Sequence, residues 1–244
     1  MGLAPDGDLS GMQAISITSP AAKPLPGLLL WRDRKFLTLS TGMALGLFAQ
    51  IGLTAHLFSL LVPALGTQQA GFAMALVTAM AIVGRSLLGW AMPLKADRRF
   101  VACAGYAAQL VGSIVFIVAA GTSAPLLLLG VVLFGTGFGN ATSLPPLIAQ
   151  IEFARGDVPR VVALIVGIAQ GAYAFAPATF GLVREIAPDA VGGVVPGVFV
   201  VAALVQGLAI CAFLAGRNRN VMSSSTTSRN RCLPHIRRRA SSGR

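Results

Sequence analysis

Acidic residues are almost missing from this chain. Eight Asp and Glu stand among 244 residues, and all eight (Asp6, Asp8, Asp33, Asp97, Glu152, Asp157, Glu185 and Asp189) fall in loops, termini or the ends of apolar runs. No carboxylate pair is therefore available inside an apolar run for acid–base work, or to neutralise a cation held there. Charge of either sign is scarce: 11% of residues are charged and 55% hydrophobic, against about 25% charged in an ordinary soluble domain. Two histidines and three cysteines show no metal-ligand spacing, and no glycine loop of the nucleotide-binding kind is present. The expectation is a protein that is not an enzyme and needs no cofactor or metal. Cys103 and Cys211 sit in apolar runs and Cys232 in a polar tail, which gives no disulfide framework. No secretory signal opens the sequence, because Asp6 and Asp8 come first and no apolar core follows an early basic residue. No strand-like alternation competes with the long apolar runs.

Those runs are what the chain has in abundance. Six are long enough for the roughly 20 residues that a bilayer-crossing helix needs: Phe36 to Val62, Ala70 to Leu94, Phe100 to Ala120, Pro125 to Ala149, Val161 to Val183 and Val195 to Gly216. Short connections make sequence neighbours antiparallel pairs. The 28 glycines, spread through the same runs, suit closely packed membrane helices. An all-α membrane protein with six transmembrane helices is expected.

The net charge of +11 would suggest nucleic acid, but the positions of the basic residues point to a bilayer instead. Lys23, Arg32, Arg34, Lys35, Lys95, Arg98, Arg99, Arg155, Arg160 and the eight arginines after Gly216 fall on one side of the six-span scheme. Arg184 falls alone on the other. Both termini are thus expected in the cytoplasm, with the lipid bilayer and not nucleic acid as partner. Residues 1–35 read as a cytoplasmic linker, with Trp31 at headgroup level. Residues 36–216 form the six-helix domain, and 217–244 a disordered basic tail.

Arg85 lies inside the second apolar run, about nine residues or roughly 13 Å from its cytoplasmic end. A charge at that depth costs from about 2.5 to over 10 kcal/mol on an isolated helix, so Arg85 is a functional candidate. Thr78, Ala81, Arg85 and Gly89 share a face of small side chains. An unpaired guanidinium there favours a carboxylate through two parallel hydrogen bonds. The alternative is that Arg85 bonds helix-end carbonyls or reaches Glu152. Further candidates for a solute-binding wall are Gln50 with Thr54, His56 with Gly52 and Ser59, Asn140 with Thr136, and Gln170 with Tyr173 and Pro177. Each could instead be an interhelical hydrogen bond of about 0.6 kcal/mol. His56 is either a proton relay near neutral pH or a helix–helix bridge.

The stretch "GRSLLGWAMPLKADRR" carries a resemblance. Gly84-Arg85, Gly89 and Asp97-Arg98-Arg99 resemble the signature loop of the major facilitator superfamily, in its degenerate copy between the eighth and ninth helices. Pro93 stands where that pattern has its first aspartate. Gly135, Gly137, Gly139, Asn140 and Pro145-Pro146 are similar to the family's tenth helix, and "GIAQGAYAFAPATFGLVRE" to its eleventh. The Gly-Arg pair with a small residue four positions later resembles the monocarboxylate porter branch, although Ala81 stands where that branch has an aspartate.

The resemblance implies two inverted three-helix repeats, echoed by "GMALGLFAQ" and "GVVLFGTGFGN". It implies the C-terminal half of a transporter in the cell membrane (plasma or inner), moving a small solute by alternating access; Arg85 alone points to an anionic one. Solute would bind at Arg85, Gln50, His56, Asn140, Gln170 and Tyr173. Gly89, Asp97, Arg98 and Arg99 would form a conformational loop that latches a neighbouring helix end. A second six-helix half or a homodimer would complete the machine. A non-transporting six-helix scaffold or a truncated inactive fragment is the alternative.

Overall fold

The computed structural model describes residues 27–91, 97–119, 123–187 and 196–217. Most of the expected linker, most of the basic tail, and the turn with Pro93 and Lys95 lie outside them. Among the described residues the chain is all helical: α1 (Gly27–Leu30), α2 (Arg34–Ala91), α3 (Arg98–Ala119), α4 (Ala124–Phe138), α5 (Leu144–Glu152), α6 (Val158–Ala174), α7 (Ala176–Ile186) and α8 (Gly197–Ala215). Four stretches are long and apolar enough to cross a membrane: Arg34–Trp90, Arg98–Ala119, Val158–Ile186 and Gly197–Ala215. Large apolar side chains such as Phe72, Trp90, Leu204 and Leu208 stand exposed on their outer faces, as lipid contact requires. The chain is a helical membrane protein.

The first two apolar runs form one helix with a break. Gly66 has φ 76° and ψ 163°, a conformation only glycine adopts readily. The Gln50 amide donates to the Phe138 carbonyl and the Arg85 guanidinium to the adjacent Gly139 carbonyl. On a straight helix residues 50 and 85 would lie about 52 Å apart. Meeting neighbouring carbonyls instead, they show that α2 doubles back at Gly66 into two arms, 34–65 and 67–91.

The fourth apolar run is not the continuous helix expected over Pro125 to Ala149. It breaks at residues 139–143, between a 15-residue α4 and a 9-residue α5. Pro145 and Pro146 cannot donate to the preceding turn, and so sit in the first turn of α5 where no donor is needed. Pro177 acts similarly at the α6–α7 bend around Phe175.

Glycines set the packing on both sides of α4. A methyl group at Gly84 would run into the Thr136 carbonyl, at Gly139 into Ala81, at Gly112 into the Phe134 and Gly130 backbone, and at Gly137 into the Gly105 carbonyl. Such backbone approach replaces, within lipid, the hydrophobic drive that assembles soluble helices. Gly89, Gly167 and Gly171 make no such approach: each faces open space. In the second arm Gly84, one turn earlier than Gly89, makes that contact.

Two apolar cores result. One joins Phe36, Leu39, Met43, Tyr106, Leu144, Ile148, Ile165 and Phe213. The other joins Leu53, Leu57, Leu61, Val77, Phe116, Phe134, Phe180 and Phe199. Five buried polar residues fall between them along the chain: Gln50 in α2, Gln109 and Ser113 in α3, Asn140 after α4, and Gln206 in α8. The chain thus carries a polar layer at the level where α4 is interrupted.

Candidate binding site at an interrupted helix

When α4 stops at Phe138, its last carbonyls lose their helical partners. Side chains from three segments supply replacements. Gln109 in α3 donates to the Gly137 carbonyl at 3.0 Å. Gln50 in the first arm of α2 donates to Phe138 at 3.3 Å, and Arg85 in the second arm to Gly139 at 2.7 Å. Asn140 reaches back, its Nδ2 donating to the Gly84 carbonyl at 3.3 Å. Residues 84 and 85 are therefore tied reciprocally to 139 and 140.

Against this junction lies a cavity of about 260 Å³, lined by Met43, Leu47, Gln50, Ile51, Phe138, Thr142, Val166, Gln170 and Tyr173. Three sequence candidates, Gln50, Gln170 and Tyr173, meet in its wall, contributed by α2 and α6. Gln50 is 2% exposed, and its Oε1 has no hydrogen-bond partner. Arg85, Asn140 and His56 do not line this cavity.

Arg85 uses Nε on the helix-end carbonyl, one of the alternatives weighed for it. Its side chain is otherwise exposed, and neither Nη group has a partner among the described residues. Glu152, the other alternative, is engaged elsewhere. His56 hydrogen-bonds the Pro177 carbonyl at 2.9 Å beside the α6–α7 bend, making it a bridge between helices. Near it, Arg184 donates to Ser59, whose hydroxyl donates to the His56 carbonyl.

The loop candidates divide. Gly89 is exposed, with nothing against it. Asp97 caps α3, its Oδ1 accepting from the backbone N–H of Arg99 at 3.1 Å and of Phe100 at 3.4 Å. Its Oδ2 meets Arg217 Nε at 2.6 Å. Arg98 donates to the Leu147 carbonyl in α5.

Arg99 does most. It is 2% exposed, and all five of its N–H groups are used. Nε and Nη2 grip the two carboxylate oxygens of Glu152 at 2.6 and 2.7 Å. Nη1 donates to Thr38 Oγ1 and the Phe213 carbonyl, and Nη2 also to the Lys35 carbonyl. Gly216 is small because this guanidinium lies against it. One side chain thereby fastens the start of α2, the end of α5 and the end of α8. The same contacts gather Lys35, Arg98, Arg99 and Arg217 at one end of the bundle.

Sequence reasoning missed a second buried cluster. Ser113 donates to Gln206 Oε1 at 2.9 Å, joining α3 to α8. Gln109 Oε1, Gln206 Nε2 and the Tyr106 hydroxyl are buried without partners. Gln109 and Ser113 stand one turn apart in an apolar run, a spacing that could have marked a polar stripe. Compared with protein-family models and with curated proteins, the sequence matches none.

Proposed function

We propose that this chain takes part in transmembrane transport, as the C-terminal six-helix half of a secondary transporter of the major facilitator type. It moves a small solute by alternating access, and its basic end faces the cytoplasm across a cell membrane. One observation carries the reading. The 260 Å³ cavity lies beside an interrupted helix and draws its polar wall, Gln50, Gln170 and Tyr173, from separate apolar helices. Broken helices in a membrane protein are tolerated where they line a cavity, and transporters place their solutes at such breaks.

Arg85, which lies outside the cavity wall, adds carboxylates to the uncharged solutes as a second class to test. Its unpartnered Nη groups present a fork that matches a carboxylate. In this reading the Asp97-Arg98-Arg99 cluster is the latch that holds helix ends together in one conformation, and a second half or a second copy of the chain closes the cavity from the other side.

The test is uptake of labelled small carboxylates into proteoliposomes that hold the chain alone or with a candidate N-terminal half. Uptake lost in Arg85→Gln supports an anionic solute. Uptake of solutes indifferent to that change keeps transport and removes the anion. Absence of uptake under both conditions, with stable capture of a membrane partner, supports the scaffold reading instead.

A further inference from the structure

The cavity wall has its own chemistry, separate from Arg85. Cavity formation beside α4 leaves one buried acceptor unmet: Gln50 is 2% exposed, lines the space, commits its Nε2 to the Phe138 carbonyl, and has no partner on Oε1. An unmet buried acceptor costs about 1–3 kcal/mol, which a bound donor would recover. The remaining polar groups of the wall, Thr142, Gln170 and Tyr173, are all uncharged.

Charge is disfavoured in this space from both directions. The lining offers neither a basic side chain to an anion nor a carboxylate to a cation, so a charge of either sign would be held there without a partner. The apolar lining of Met43, Leu47, Ile51 and Val166 favours a short carbon skeleton. The volume is just below the range of about 300–1,000 Å³ typical of drug-sized ligands, so the occupant is small.

We infer that the cavity binds a small, uncharged molecule bearing an N–H or O–H donor, and that Gln50 Oε1 receives that donor. The inference rests on reading the cavity as a solute site and assigns its chemical class. A site with a committed acceptor rejects the isostere that lacks the donor, because the acceptor is then buried unpaired.

Matched neutral amides test it on the full chain in detergent. Equilibrium binding of radiolabelled propionamide is measured, with N,N-dimethylpropionamide and propionate as competitors. Propionamide is expected to bind about tenfold or more tightly than its dimethyl counterpart, with propionate a poor competitor. Gln50→Leu should erase the preference, bringing the two amides within about twofold. Val166→Trp, which fills the space from α6 without replacing a polar group, should abolish binding of both. Equal binding of the two amides to the native chain, displacement by propionate, or binding that survives Val166→Trp would overturn the assignment. The outcome separates from that of transport. Donor-selective binding by a chain that moves nothing keeps this inference and removes the transport reading, whereas uptake without donor preference does the reverse.

Discussion

Two ion pairs at the basic end offer an internally controlled experiment. Arg99 and Glu152 are 2% and 18% exposed and meet at 2.6 Å; Arg217 and Asp97, at the same distance, are 44% and 40% exposed. Breaking a buried pair by removing one partner costs about 3–5 kcal/mol, because a charge is left without compensation. Arg99 also holds the Lys35 and Phe213 carbonyls and the Thr38 hydroxyl, so Arg99→Gln should cost more than Glu152→Gln. An exposed pair contributes about 0.2–1 kcal/mol and is weakened further by salt. Double-mutant cycles on both pairs, followed by helicity during reversible unfolding in mixed micelles with increasing dodecyl sulfate, measure the two coupling energies directly. The Arg99–Glu152 coupling is expected at about 2–3 kcal/mol and nearly independent of salt, against less than about 1 kcal/mol for Arg217–Asp97. Arg99→Lys should fall between native and Arg99→Gln, keeping the charge but losing the two-oxygen grip. If the two couplings come out equal, or decline together as salt rises, the argument from burial is wrong.

Glycine substitutions should sort by what surrounds each position. Gly84→Ala and Gly112→Ala place a methyl against backbone and should lower stability in the same assay by about 1–3 kcal/mol, whereas Gly89→Ala and Gly167→Ala, in open space, should be neutral or stabilising by up to about 1 kcal/mol. Gly66→Ala meets no neighbour either, yet should destabilise by about 1–2 kcal/mol, since only its positive φ is at issue. A neutral result at Gly66 would mean that the reversal of α2 does not depend on that backbone angle.

The helical class was legible because length and hydropathy alone decide it: every apolar run in the sequence is helical over most of its described residues. Chain reversal between the first two runs was also readable from the polar "GTQQ", although not that one glycine makes it. Interruption of the fourth run was hidden, because Asn140, Thr142 and Ser143 interrupt apolar sequence too briefly to lower its average, while two prolines fit equally at a helix start. Polarity within apolar runs marked Gln50, Gln170 and Tyr173, which the structure brings into one cavity wall. It could not tell which of them share a space. Arg85 and Arg99 show the limit most clearly. Depth in an apolar run pointed to Arg85, which is exposed. The arginine enclosed by three other chain segments stands at a helix end, where sequence gives every basic residue the same solvated appearance.

Successive residues of a helix lie about 100° apart around its axis, so the carbonyls of 137, 138 and 139, all directed along that axis, sit at three positions around the tip of α4. Gln109, Gln50 and Arg85 therefore grip that tip from three sides, as the jaws of a chuck hold a rod. A rod held in this way cannot swing toward one jaw without pulling free of another. Any solute that draws Gln50 away from Phe138 would loosen the grip on one side and bias the direction in which α4 leans.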